Sequence, residues 1–530
     1  MSTSAVPISE VRVRFGRRER RGVILGLSWL QVIVIGAAAV VAIGLLLAKA
    51  YTLLGVTAPL LLLFVAVGAG RYRREAVVVY VVHALRFWRA SATRQWAAKG
   101  DPAVRRIGHL NLPGGLASID IHETARGMGF SYDRSRRQFA FTLGMSAPAW
   151  PLLDEGSQVS SVSGFVGWMN GLSRIPGLAI VDVRIRSDFS SSTDVEDFTD
   201  TQIRGRRTAT PPVARACTGC GSFGVSPFCM ACGQRSQVPD DAMQWSDDQA
   251  REAAANTASA SMEFSYQVTF GFETGSLRDR AFQTRTDRAG GGIAGAGEVL
   301  ELEADSLIRG LSRAGVTDVS WLSAASLAWT CRLAYDPETT VARKRAGLQL
   351  AGSLADTVRP MAAVRRWDHL QIDEVFHQVF WIADWPTTDI PVGFLEEVIA
   401  TSGDFTRCIT LQLVPVSKEA ALKAVNTAQT DLDQAEAVRA KLGQRTTGEQ
   451  EAEAADVTER ENDLSEGYRE MGFRGYITIS ALSREGLDVA RNGIEVAAQQ
   501  AQIEPKVMFL QQAEAFNTAV LPFGLGMVKR

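Results

Sequence analysis

Residues 178–186, LAIVDVRIR, decide the fold, because their alternation of apolar and polar side chains is typical of a β-strand. Residues 137–145, RQFAFTLGM, favour a second strand, and residues 157–172 between the two favour a helix. This strand–helix–strand order predicts a first α/β unit over residues 101–190. A Ser/Thr/Asp-rich stretch from Ser187 and the loop at Pro211 and Pro212 then indicate an insertion.

The alternation of strands and helices predicted for the first unit recurs further along the chain. We predict a continuation of the body over residues 260–350 and a second unit over residues 365–530. Strands are expected over 262–272, 375–383, 406–416, 472–481 and 506–510, and helices over 298–314, 320–334, 392–401 and 484–500. Alternation of this kind favours an α+β or α/β body whose sheet is covered by helices.

Two helix-like stretches interrupt the last unit between a pair of strands. Apolar residues recur near heptad spacing on the first stretch (Ala421, Val425, Ala428, Leu432, Ala435 and Leu442) and on the second (Val457, Leu464, Tyr468 and Met471). One face of each helix can therefore bury against the other. We predict a protruding antiparallel helical hairpin over residues 418–471, with packing against its own domain as the alternative.

The first 96 residues differ from the rest. Residues 22–48 and 50–70 contain no charged side chain apart from Lys49 between them. About 20 apolar residues can cross a bilayer as a helix, so we predict a transmembrane hairpin over about 23–48 and 51–70. An aromatic and arginine-rich helix follows it, as expected of a helix at the lipid headgroups or of a simple extension of the second span.

Arginines flank both spans, whereas the connecting turn carries a single lysine. Positive flanks stay on the cytoplasmic side, which predicts a multi-pass protein of the plasma membrane with both termini in the cytoplasm. The net charge of −2 over 530 residues argues against general nucleic-acid affinity.

Four cysteines form the strongest local motif. Cys217 and Cys220 make one CxxC pair, and Cys229 and Cys232 make another eight residues later. This spacing brings four thiolates within reach of one Zn²⁺, which predicts a structural zinc ribbon inserted over residues 205–240. Two disulfides or four free thiols are the alternatives, and a reducing cytoplasm disfavours the disulfides. Cys331 and Cys408 lie in apolar runs and are expected in the core.

Other motifs do not indicate catalysis. The chain contains no GxxxxGK[ST] phosphate loop. Gly290, Gly292 and Gly295 match GxGxxG, but no strand precedes them, so we interpret them as a linker. His369 and His377 flank Asp373 and Glu374, which we interpret as solvated residues beside a strand. We therefore expect no catalytic residues, no bound organic cofactor and no enzyme activity.

Several segments resemble a known family. GRRERRGVILGLSWLQVIVIG, with Gly26, Leu27, Ser28 and Gln31, resembles the PrgI-type membrane hairpin of conjugation systems. LEADSLIRGLSRAG, HQVFWIADWP, VGFLEEVI and LPFGLG (521–526) resemble the amino-terminal, non-ATPase domain of type IV secretion ATPases. The whole is similar to actinobacterial membrane proteins of conjugative elements, in which such a hairpin is fused to a body without the motor.

The resemblance implies a non-enzymatic, membrane-anchored structural subunit of a type IV secretion or conjugative DNA-transfer apparatus. Its expected partners are the lipid bilayer, a separate secretion ATPase and other secretion subunits in an oligomeric complex. A type VII secretion component of the EccE kind and a membrane-tethered transferase are the alternatives. Nucleic-acid binding by the zinc ribbon is a further possibility, based on five arginines: Arg204, Arg206, Arg207, Arg215 and Arg235.

Overall fold

The computed structural model describes most of the regular elements of the chain. The residues described are 12–13, 29–72, 75–92, 109–110, 112–146, 155–189, 215–217, 219–220, 223–224, 228–237, 262–274, 280–337, 358–386, 390–391, 393–401, 403, 405–442, 448–467 and 470–526.

The regular elements are named here in chain order. The strands are β1 (Arg12–Val13), β2 (Arg71–Tyr72), β3 (Glu75–Ala76), β4 (Ile119–Glu123), β5 (Gly129–Asp133), β6 (Gln138–Ser146), β7 (Leu178–Phe189), β8 (Arg215–Cys217), β9 (Phe223–Gly224), β10 (Ser236–Gln237), β11 (Met262–Glu273), β12 (Thr317–Trp321), β13 (Ala363–Arg365), β14 (Leu370–Ile372), β15 (Val375–Asp384), β16 (Ile390–Pro391), β17 (Thr406–Pro415), β18 (Met471–Ala481) and β19 (Glu504–Val507). The helices are α1 (Trp29–Leu47), α2 (Tyr51–Ala69), α3 (Val77–Ala92), α4 (Glu155–Leu172), α5 (Arg280–Arg288), α6 (Gly292–Arg313), α7 (Ala324–Tyr335), α8 (Glu396–Ile399), α9 (Lys418–Leu442), α10 (Gly448–Glu466), α11 (Arg484–Gln500) and α12 (Gln512–Ala519), with a 3₁₀ turn at Gly114–Leu116.

A 12-stranded antiparallel sheet forms the body of the protein. Its strands follow the order β13-β14-β15-β18-β17-β7-β11-β6-β5-β4, with β12 added beside β6 and β19 beside β15. Every pairing in this sheet is antiparallel. The α/β alternative for the body is therefore wrong, because α/β folds depend on parallel strands joined by crossover helices.

The sheet consists of two halves with the same internal order. Read from its outer edge inward, the first half is β4-β5-β6-β11-β7, and the second is β13-β14-β15-β18-β17. The extra strands β12 and β19 pair with equivalent strands, β6 and β15. The helices follow in the same sequence, with α4, α6 and α7 in the first half and α8, α11 and α12 in the second. The halves meet where β7 pairs with β17, around Ile185 and Ile409.

Each half carries its large insertion at the same connection. The cysteine-rich strands β8, β9 and β10 lie between β7 and β11, and helices α9 and α10 lie between β17 and β18. Because β7 and β17 are antiparallel neighbours, their carboxyl ends lie at opposite ends of the sheet. The connections that carry the two insertions therefore begin at opposite ends of the sheet.

Alternation along the strands gives the sheet two different buried faces. On one face, aromatic residues of β5, β6 and β11 pack under α4, α5 and α6, and isoleucines of β17 and β18 pack under α11. Phe141 and Phe270 are fully buried there and stack with ring centroids 5.2 Å apart. Burial of each such side chain contributes about 1.5–3 kcal/mol, so this face supplies much of the stability.

The opposite face carries a row of buried polar side chains along its centre. We call this set the polar row; its members are Gln138, Thr142, Asp182, Arg184, Thr269, Thr410 and Gln412. Helices α7 and α12 cover this face on either side of the row, with Cys331 and Cys408 in their apolar core. Both cysteines are buried, as the sequence predicts.

The segment of residues 519–526 crosses the polar row, and its backbone carbonyl oxygens accept hydrogen bonds from five members of the row. Arg184 Nη2 donates to the carbonyl oxygen of Leu521 at 2.7 Å. Thr410 donates to Ala519, Thr142 to Pro522, Gln138 to Gly524 and Gln412 to Leu525. Buried polar groups are tolerated only when they are hydrogen-bonded, so the segment and the row depend on each other.

Two glycines allow this segment to approach the sheet. Gly524 has φ +61°, a left-handed conformation that glycine adopts without strain. A Cβ on Gly271 of β11 would lie 2.5 Å from Ile180 and 3.1 Å from the carbonyl oxygen of Gly524. Neither position accommodates a side chain.

The membrane-spanning hairpin predicted over about 23–48 and 51–70 is contradicted. Helices α1 and α2 form in this region over residues 29–47 and 51–69. Within the ranges given above, no helix is both long enough and apolar enough to cross a bilayer. The predicted multi-pass placement in the plasma membrane, with cytoplasmic termini, is overturned by the same finding.

Helices α1, α2 and α3 are nevertheless in contact with one another or with the body. Gln31 Nε2 in α1 donates to the carbonyl oxygen of Gly68 in α2 at 2.8 Å. In α3, predicted to lie at the headgroups, the ring of Phe87 lies 5.1 Å from the guanidinium of Arg365 in edge strand β13. This aromatic side chain therefore contacts the sheet.

Helices α9 and α10 occupy residues 418–442 and 448–466, within the segment predicted as a helical hairpin. Ala421, Val425, Ala428, Val457 and Leu464 are buried in one small cluster between them. Arg460 of α10 forms an ion pair with Glu470 at its base. We call these two helices the arm.

Replacement of Phe523 tests the role of the 519–526 segment. Phe523 is 2% exposed within the core beneath this face, so Phe523→Ala should lower the free energy of unfolding by about 3–5 kcal/mol. Leu302, on α6, is 62% exposed, and Leu302→Ala should change the free energy of unfolding by less than about 0.5 kcal/mol. Urea unfolding measures both; equal effects of the two variants would contradict the packing described.

Candidate metal centre

Three short strands position the four cysteines of the insertion. Strand β8 pairs with β9 and β10, and Cys217 lies opposite Ser236. A backbone bridge between Phe228 and Arg235 closes the second CxxC pair into a tight turn. Within that turn, the N–H of Gly233 donates to the carbonyl oxygen of Cys229 at 2.8 Å.

Glycine is required at the end of the second pair. Gly233 follows Cys232 and has φ +74°, in the left-handed region. The N–H of Cys229 donates to the carbonyl oxygen of Gln234 at 2.7 Å, which folds the chain back on itself. This geometry turns the side chains of Cys229 and Cys232 toward the first pair.

The four sulfur atoms lie together, as the sequence predicts. The Sγ atoms of Cys217 and Cys232 are 3.3 Å apart, and those of Cys220 and Cys229 are 3.5 Å apart. All four lie within 4.8 Å of one another. Cys217 and Cys229 are buried, whereas Cys220 and Cys232 are exposed.

These distances exclude disulfides in this arrangement. A disulfide holds its sulfur atoms about 2.05 Å apart, and all four cysteines here are free thiols. Hydrogen bonding shifts the pKa values of these thiols in different directions. The contact with Cys232 lowers the pKa of Cys217. For Cys232, the backbone N–H of Gln234 acts to lower the pKa, but contacts with the other cysteines raise it to about 12.

The cluster has the donor set and dimensions of a tetrahedral metal site. Four sulfur ligands about 2.3 Å from one ion would lie about 3.8 Å from each other, and the observed separations bracket that value. These four cysteines can hold one metal ion, and soft thiolates suit zinc. Four protein ligands fill such a shell.

The arginines considered for nucleic-acid binding are only partly described. Arg235 is exposed beside the cysteine cluster. Arg215 belongs to strand β8, while residues 204, 206 and 207 lie outside the described part of the chain. Arg235 alone does not make a basic surface.

The two histidines near residue 370 have separate roles. His369 lies beside Asp368, which also accepts a hydrogen bond from Arg484 Nη2 at 2.6 Å. Although burial acts to raise it, the hydrogen bonds from Arg484 and His369 lower the pKa of Asp368. This group fixes the start of α11 against the β14 end of the sheet.

His377 is completely buried, contrary to the expectation of a solvated residue. Its Nε2–H donates to the carbonyl oxygen of Tyr335 at 3.2 Å, and the hydroxyl of Ser480 donates to Nδ1 at 2.8 Å. Its ring packs 4.7 Å from that of Phe516. Burial lowers the pKa of His377 to about 3, with Arg186 contributing in the same direction. The residue is therefore a neutral part of the core.

The glycine-rich segment is also ordered, although the sequence indicates a linker. Gly290, Gly291 and Gly292 all have positive φ and make the turn between α5 and α6. The matching GxGxxG residue Gly295 lies inside α6, against the carbonyl oxygen of Thr286. Close helix packing explains this glycine without a nucleotide.

The burial of His377 predicts a pH dependence of stability. Between pH 6.5 and about 3 the unfolded chain binds this proton and the folded chain does not, so stability falls on acidification. The advantage of the native protein over His377→Gln should therefore shrink by about 1.4 kcal/mol per pH unit below pH 6.5.

Urea unfolding of both proteins from pH 8 to pH 5 measures this difference. Burial raises the pKa of Asp182 to about 6, which favours folding at low pH, but this effect is present in both proteins and cancels. Above pH 7 the two stability curves should run parallel. A constant difference down to pH 5 would show that His377 titrates normally.

Comparison with known proteins gives no family for this chain. No protein-family model matches it, and no curated protein matches it significantly. Its function has to be inferred from the cysteine cluster, the arrangement of the insertions and the sequence resemblance.

Proposed function

We propose that this protein is a non-enzymatic structural subunit of a type IV secretion or conjugative apparatus, which recruits a separate ATPase. The observation that carries the proposal is the placement of the two insertions. The cysteine module and the arm occupy equivalent connections in the two halves of the sheet, and these connections begin at opposite ends of the sheet. Such a body suits a platform that presents two contact modules.

The character of the arm supports a binding role. Its two helices bury one apolar seam and expose the remaining faces. A shallow, open depression on the surface of α9, called the groove here, is lined by Leu422, Lys423, Asn426 and Thr430 among others. The groove is open and formed by a single helix, which suits a protein surface better than a small substrate.

The buried polar groups support the same conclusion. The members of the polar row are engaged with one another and with residues 519–526, and His377 is held neutral by two structural hydrogen bonds. Residues kept for catalysis have to face a substrate-sized cleft. The assignment to a secretion apparatus rests on the sequence segments that resemble secretion proteins.

Within this proposal, the four cysteines hold a structural Zn²⁺. Four thiolates leave no open position for a reactive water, so the ion would stabilise the fold rather than perform chemistry. The module is small, with three strands of two or three residues, and buries little apolar surface. Small modules of this kind depend on a metal for their stability.

Metal analysis tests the zinc site. The purified protein should contain one zinc per chain, and Cys229→Ser and Cys232→Ser should each lose it because a thiolate ligand is removed. Cys331→Ala is the matched control, since Cys331 is buried in the core far along the chain, and it should retain the zinc. Iron with visible absorption, or no metal at all, would contradict the assignment.

Affinity purification tests the recruitment of an ATPase. A tagged native protein should recover a secretion ATPase, identified by mass spectrometry. The double change Asn426→Arg and Thr430→Arg places two charges in the groove of α9 and should reduce that recovery at least about tenfold, a loss of about 1.4 kcal/mol or more.

The control pair for this experiment lies on another helix. Asn492→Arg and Val496→Arg have the same spacing on the exposed face of α11, and they should leave the recovery unchanged. Repeated purification of the native protein without an ATPase would overturn the proposed function. Equal losses for both pairs would show that the arm is not the contact.

A further inference from the structure

A small cavity lies at the junction of the two halves of the sheet. Its volume is about 20 Å³, and it is lined by residues of β7, β11, β17, α7 and Val520. The polar residues in its wall are Arg184, Arg186, Ser265, Gln267, Thr330 and Cys408. No carboxylate is among the residues that line it.

Both arginines that line the cavity are buried and incompletely hydrogen-bonded. Arg184 is 3% exposed and Arg186 is 8% exposed. In the described part of the chain, Arg184 Nε and Arg186 Nη2 find no acceptor. Buried N–H groups of a charged side chain destabilise a protein unless an acceptor is present, so the missing acceptor is expected in the cavity.

The carboxylates beside these arginines bond to other atoms of the same guanidinium groups. Asp182 accepts from Arg184 Nη2 at 3.0 Å, and both oxygens of Asp188 accept from Arg186 Nε at 2.9 Å. These carboxylates therefore leave Arg184 Nε and Arg186 Nη2 without an acceptor. The hydroxyl group of Ser265 also lines the cavity and can donate a further hydrogen bond.

We propose that this cavity binds one chloride ion, which links the two halves of the sheet. A monatomic anion accepts hydrogen bonds from every direction, and its charge suits a wall that contains two buried guanidinium groups. The volume admits one body of about the size of water and excludes sulfate and phosphate. Arg186 of β7 and Cys408 of β17 are paired in the ladder, so the ion sits where the halves meet.

Thermal unfolding of the full-length protein tests this site. At constant ionic strength, replacing sodium gluconate by sodium chloride should raise the Tm by about 3 °C and then saturate. Arg186→Lys removes the planar donor and keeps the charge, and it should abolish the chloride-dependent shift. Ser265→Ala should reduce the chloride-dependent shift, and this milder variant tests the site if Arg186→Lys does not fold.

The matched control is Thr478→Val, a buried threonine on β18 that does not line the cavity and should keep the full shift. Crystals grown with sodium bromide should give an anomalous peak within the cavity. Equal Tm values in chloride and gluconate, or a cavity occupied by water alone with no bromide peak, would overturn the proposal. A shift retained in both cavity variants would also overturn it.

Discussion

The hydrogen bonds of Arg184 are the interaction on which the rest of the structure depends. Its guanidinium donates to Asp182 of its own strand, to Thr269 of the neighbouring strand and to the carbonyl oxygen of Leu521. All of these groups are buried, so each would cost stability if its partner were removed. One side chain thus ties the centre of the sheet to the segment that covers it.

This dependence explains why the 519–526 segment belongs to the body. It contributes backbone carbonyls that the polar row needs and apolar side chains, Leu521, Phe523 and Leu525, that the core needs. The row in turn supplies donors that an extended backbone otherwise lacks when it is buried. The energetic cost of burying a charged residue at the centre of the sheet is offset only when residues 519–526 are packed over it.

The repeat of the two halves explains where the insertions occur. A hairpin connection at the end of a sheet can be lengthened at little entropic cost, because closure entropy grows only slowly with loop length. The same connection has been extended in both halves, once into the cysteine module and once into the arm. The sheet keeps its register, since β7, β11, β17 and β18 still pair along most of their length.

The amino-acid sequence by itself determined the local elements and the four cysteines that can hold a metal ion. Strands such as β15, helices such as α11 and the two CxxC pairs follow from side-chain periodicity and spacing, which are local properties. Only the tertiary structure decided that the sheet is antiparallel, that its two halves repeat, and that His377 and Arg184 are buried. Those outcomes depend on which strands pair and on what covers them. They are settled by contacts between residues more than 100 positions apart, such as Arg184 and Leu521.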